Sequence, residues 1–118
     1  LPILMTQEQL DERLANDEFV TGGLTPIPAT TVGPPMVAES PVNFECKLTQ
    51  LIQLRDTAGD PVDTWMVLGQ VIAVHIDRQW LVDGVYDTTG PRPILRAGGP
   101  ANYSEAGPDG VFAMQRPN

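Results

Sequence analysis

Cations are scarce in this sequence. Seven Lys and Arg stand against fifteen Asp and Glu in 118 residues, giving a net charge of -8 and a pI near 4.3, and no two of the seven are adjacent. A surface of that sign repels phosphate backbones and anionic lipids, which argues against nucleic-acid or membrane partners. Cysteine is limited to Cys46, so no internal disulfide forms and a reducing, cytoplasmic setting is the expectation. With one histidine and one cysteine, no metal site is expected. No apolar run approaches the ~20 residues that cross a bilayer, and the opening LPILM is too short, and too poor in basic flanks, for a signal peptide. There is no GxGxxG fingerprint after a strand and no GxSxG elbow. Internal repeats and low-complexity tracts are absent too.

Proline and glycine are plentiful. The 12 Pro and 11 Gly make up just under a fifth of the chain, so loops must occupy much of it. Apolar residues at 42% suffice for one core, and the chain is expected to form a single partial domain over residues 1–118. Its lead-in, residues 1–23, reads as helical. Thr6 and Gln9 have capping-box spacing, and Leu10 and Leu14 share one face. DEFVTGG adds a possible last turn, ended by Gly22 and Gly23. Residues 24–41 hold five prolines and nothing periodic, which predicts an extended arm that packs on something through Leu24, Ile27, Val32, Met36 and Val37.

Residues 42–77 carry the strongest pattern and read as a long β-hairpin. In VNFECKLTQLIQL, Val42, Phe44, Cys46 and Leu48 face one way and Asn43, Glu45, Lys47 and Thr49 the other, as in a strand with one wet face. Cys46 is thereby expected in a core. RDTAGDPVD supplies the hairpin loop. The second strand, in TWMVLGQVIAVHID, is apolar on both sides and belongs in the middle of a sheet, which two strands alone cannot provide. The rest of that sheet must come from elsewhere. Residues 78–118 read as loop-rich, with a strand or turn near Trp80 and Leu81, a short helix or turn over residues 93–96 and loop chemistry in GPANYSEAGPDG.

Taken in order, ESPVNFECKL, WMVLGQVIAVHID, VDGVYD, RPILRAGG, NYSE and MQRP resemble the C-terminal half of the flavin reductase-like, FMN-binding split-barrel family. The likeness runs over residues 18–117, and nothing here is similar to the family's first half, which carries most FMN-binding groups and those for its phosphate. What the resemblance implies is a mainly β fold, the C-terminal half of a split β-barrel with a short N-terminal helix and long loops. It also implies FMN as cofactor, NAD(P)H as the source of hydride and a homodimer once the barrel is complete. The partner is then the N-terminal half, carried by the same protein or by a second chain.

Candidate residues follow from that resemblance, each beside a plainer reading. Thr64 and Trp65 open the second strand where related reductases place a histidine near the flavin or the nicotinamide. A hydroxyl can bond a flavin edge and an indole can wall a pocket, but the pair also suits a strand start with one buried aromatic. Arg96, Gly98, Gly99 and Tyr103 form RAGGxxxY, which the resemblance places near flavin and nicotinamide; a Gly-Gly pair alone is ordinarily a turn. His75 late in the strand reads as structural, and no residue stands out as the catalytic acid or base. Glu39 and Ser40 suit a turn cap or a dimer contact. Two other readings stay open: a non-catalytic acidic β module that completes a partner's sheet, and a barrel that uses FMN only to move electrons or holds another ligand.

Overall fold

The computed structural model describes Glu8 and residues 17–118; the helix expected over residues 6–16 lies, but for Glu8, outside them. The chain divides into two compact units, Leu1–Val74 and His75–Asn118.

The first unit begins with a short helix, α1 (Glu18–Gly22). Asp17 caps it by accepting the Phe19 N–H at 2.9 Å, and Gly23 ends it at φ 66°, a left-handed conformation that glycine adopts without a Cβ clash. The Pro-rich arm follows. It pairs β1 (Pro26–Ile27) with β2 (Met36–Val37) antiparallel, two residues on each side. The next strand, β3 (Val42–Arg55), is 14 residues long and pairs with β4 (Pro61–Ile76), 16 residues long. Between them Gly59 stands at φ 86°, and the Asp56 carboxylate accepts the N–H groups of Ala58 and Asp60 at 2.9 Å each, an Asx arrangement that tightens the turn.

The sides of β3 are reversed from the expectation. Its polar side is the covered one: among the described residues Glu45 alone is buried, 1% exposed. Its carboxylate accepts the Thr30 and Thr31 N–H groups, the latter at 2.6 Å, and both hydroxyls at 2.7 Å. Two residues earlier, the Asn43 side chain accepts the Val37 N–H and donates to the Val37 carbonyl, both at 3.0 Å, so its amide serves as a strand partner for β2. The arm therefore lies on the polar side of β3, and Cys46, expected in a core, is exposed on the other side with Phe44 and Leu48. No apolar side chain is buried among the described residues, and β4, apolar on both sides, is exposed along most of its length. The β3–β4 sheet has two strands, and a two-stranded ladder covers neither of its faces.

The second unit is two short hairpins and their turns. Residues 81–82 (β5) pair with 85–86 (β6) through Asp83 and Gly84 at φ 51° and 78°, the paired positive values of a type I′ turn, for which Asp-Gly is a preferred dipeptide. Residues Ile94–Arg96 (β7), expected as a helix or turn, are a strand and pair antiparallel with β8 (Tyr103–Glu105), which falls where loop chemistry was expected. Pro93 lacks a backbone donor and so suits the position just before a strand, and the β-branched Ile94 favours one. No described helix is long and apolar enough to cross a membrane.

Glu45→Ala removes the acceptor of four donors, two of them N–H groups of the arm. The expected result is a fall of about 1–3 kcal/mol in the opening free energy at the Thr30 and Thr31 amides, read by native-state hydrogen exchange. Glu39 adds a pH dependence: its carboxyl lies below the usual carboxylate range because the Thr25 side chain and backbone N–H hydrogen-bond to it. A lowered folded pKa gives stability that is full above the unfolded value near 4.5 and is lost as pH falls through the folded value. The Thr25 amide should therefore lose protection in acid, and Glu39→Gln should remove that pH dependence.

Candidate functional site

The loop between β7 and β8 gathers most of the candidate residues. Arg96 and Tyr103 are direct cross-strand partners, and the Arg96 guanidinium lies over the Tyr103 ring, 5.0 Å from its centre, a cation–π contact worth about 0.5–1 kcal/mol at an exposed site. Its Nη1 donates to the Asn102 carbonyl at 2.7 Å and its Nη2 to the Gly99 carbonyl at 2.6 Å. Ala97 N–H closes the loop on the same Asn102 carbonyl at 3.0 Å. Arg96 thus clamps the turn from inside, with both ends of its fork on backbone oxygens.

The two glycines differ in what the loop asks of them. Gly99 sits at φ 77°, where a side chain is strained, and an added Cβ would lie 3.2 Å from the Asn102 amide nitrogen. At Gly98 an added Cβ would meet nothing within 4 Å. Gly98 is thus open backbone, and Tyr103, which pairs with Arg96 across the hairpin, is 65% exposed. An exposed ring offers a surface on which a flat ligand can stack.

Thr64 and Trp65 belong to the other unit, in β4. As strand neighbours they project to opposite faces, so a ligand lying on one face meets one of them. Trp65 is half exposed, and the buried aromatic of the plainer reading is not what the structure shows. His75 is half-buried at the end of β4, and the Asp77 carboxylate two residues on accepts from Gln79 N and Nε2 at 3.1 and 2.8 Å, capping a 3-10 turn. Glu39 holds the arm through Thr25. Two participants escaped the sequence reading. Asn102 acts through its carbonyl, which no side-chain pattern announces. Glu45 had a visible signal, a carboxylate on a strand with paired threonines 14 and 15 residues earlier.

No protein-family model matches the chain. Over 100 residues it is 32% identical to protein BH2278 of Halalkalibacterium halodurans, covering 85% of the chain and 46% of that protein. Among solved structures, nitrilotriacetate monooxygenase component B from Bacillus cereus superposes with a TM-score of 0.68 at 29% identity, over 82% of the chain and 47% of that protein. The 2-nitrobenzoate 2-nitroreductase NbaA of Pseudomonas fluorescens gives 0.63 at 26% identity, over 95% and 57%. The fold is shared with both. It is the flavin reductase-like class expected from the sequence, mainly β with one short helix and long loops. The chain spans about half the length of the relatives it matches.

Gly99→Ala should cost roughly 1–2 kcal/mol through the left-handed backbone, and Gly98→Ala close to nothing. Exchange of the Ala97 amide, which depends on the closed loop, is the measurement. Arg96→Lys should raise the same exchange, because an ammonium cannot reproduce the fork across two carbonyls.

Proposed function

We propose that the chain is the C-terminal half of an FMN-binding split barrel, completed by an N-terminal half, in which hydride passes from NAD(P)H to the flavin. The observation that carries this reading is the long hairpin without an apolar core, set in a chain that matches about half of two larger redox proteins. The names of those neighbours, a monooxygenase component and a nitroreductase, support an oxidoreductase with a flavin. The completed protein is read as a cytoplasmic homodimer.

The residues present fit a flavin in part. Tyr103 offers an exposed ring in the second unit; Thr64 and Trp65 belong to the first, where each by itself offers a hydroxyl or an indole on β4. Arg96 does not fit as the phosphate holder, since its fork is engaged by the Gly99 and Asn102 carbonyls. Its place is to set the loop and fix Tyr103, and the phosphate falls to residues outside this chain. Bound FMN would supply the two-electron acceptor; the protein's work is to position and shield. No side chain among the candidates needs to act as acid or base for that division of labour.

A non-catalytic module that completes a partner's sheet is the second reading, favoured by the same uncovered hairpin. Titration with FMN, followed by absorbance and by NAD(P)H oxidation in the completed protein, separates the two. Flavin bands and turnover support the reductase, and a colourless, inert protein supports the module. Within the reductase reading, Tyr103→Ala should weaken FMN binding or NADH turnover; unchanged values for both would remove the loop from the site. His75→Gln should leave turnover within a few-fold, whereas a loss of about a thousandfold, roughly 4 kcal/mol in barrier, would make it catalytic.

A further inference from the structure

One contact decides which residues of β3 and β4 share a face. A Cβ built on Gly69 would lie 3.3 Å from the Cys46 Cβ, so positions 46 and 69 stand on the same side of the ladder. Alternate residues of a strand share a side. Phe44 and Leu48 therefore join Cys46, while Trp65, Val67 and Val71 stand with Gly69. From Phe44 to Leu48 and from Trp65 to Val71 that face carries no charged residue, Asp63 standing on the same side nearer the hairpin turn, and its large side chains are exposed, Phe44 at 61% and Val67 at 66%. The opposite face carries Asn43, Glu45 and Lys47, and the arm is tied to it at the first two. One side of the hairpin already has a cover of this chain's own making. The other has none.

We propose that the uncovered face, centred on Cys46 and Val67, is the seat of the complementary half-barrel, a β segment about as long as this chain. The inference rests on the half-barrel part of the proposed function and goes further by naming the face; it does not require flavin. Three observations choose this occupant. The similar proteins extend well beyond the match, by about half their own length, so in each of them a segment of that size is available. The face is apolar and without charge over the stretch from Trp65 to Val71 and from Phe44 to Leu48, as an interior barrel wall is, whereas surfaces that meet and part in water keep a polar share. The β3–β4 sheet has only two strands, so a segment laid on this face can also continue the ladder at an edge.

The test uses the full chain and the portion of the Halalkalibacterium halodurans relative outside the matched 100 residues, once as a co-expressed partner and once fused ahead of Leu1. Cys46 is the reporter, read by its rate of maleimide labelling. The expected result is co-purification in equal amounts with labelling slowed about tenfold or more, the same protection in the fusion, and loss of capture in Val67→Glu but not in Gln70→Glu on the opposite face. A fusion that labels as fast as the chain alone overturns the proposal. So does a chain that by itself forms a dimer with Cys46 protected and is split by Val67→Glu, since a second copy then owns the face. FMN uptake, read separately by absorbance, keeps the two readings apart: protection without flavin leaves this inference standing and removes the reductase, and flavin uptake with Cys46 still reactive does the reverse.

Discussion

The carboxylate of Glu45 organises the first unit. An arm with five prolines between residues 24 and 41 builds only a two-residue ladder of its own, β1 with β2, because each proline lacks a donor and holds φ near one value. The N–H groups it retains need acceptors from elsewhere. Glu45 meets those of Thr30 and Thr31 and takes both hydroxyls as well, Asn43 meets Val37, and Glu39 meets Thr25. Side chains thus do for the arm what a neighbouring strand would ordinarily do. A charged acceptor makes stronger bonds than a neutral one, which compensates for taking the carboxylate out of water.

That tether also decides how the hairpin is used. By drawing the arm onto the polar side of β3, it leaves the apolar side open, and β4 contributes apolar residues to both. A soluble monomer rarely exposes so continuous an apolar surface. The proposed place of the chain in a larger barrel follows from this asymmetry more than from any one side chain. The β7–β8 loop works on a different principle. Arg96 holds it through two carbonyls and a ring, so a residue that looks like an anion ligand in the sequence is a clamp in the fold.

The sequence was legible wherever a local rule governs. Alternation marked β3, an apolar run on both sides marked β4, Gly-Asp-Pro chemistry marked the loop over residues 55–63, and Gly23 marked the end of α1. Legibility failed where two distant segments meet. Residues 93–96 and 102–105 are too short to show a period, and each becomes a strand only because the other is there to pair with it. Among the candidates, Arg96, Gly99 and Tyr103 were found together in one loop. The distinction between Gly98 and Gly99 depends on backbone angles, and those are not written in the letters GG.

By itself the sequence determined the acidic balance, the mainly β character, the long hairpin and its turn, and the apolar character of β4 on both sides. These follow from composition and from a two-residue period, both of which are properties of consecutive residues. Only the tertiary structure decided which side of β3 is covered, that Cys46 is exposed and Glu45 buried, and that Arg96 turns inward to its own loop. Hydrophobic alternation says that two sides differ but not which one meets a neighbour. The Thr30–Glu45 contact, made across 15 residues of chain, settled that.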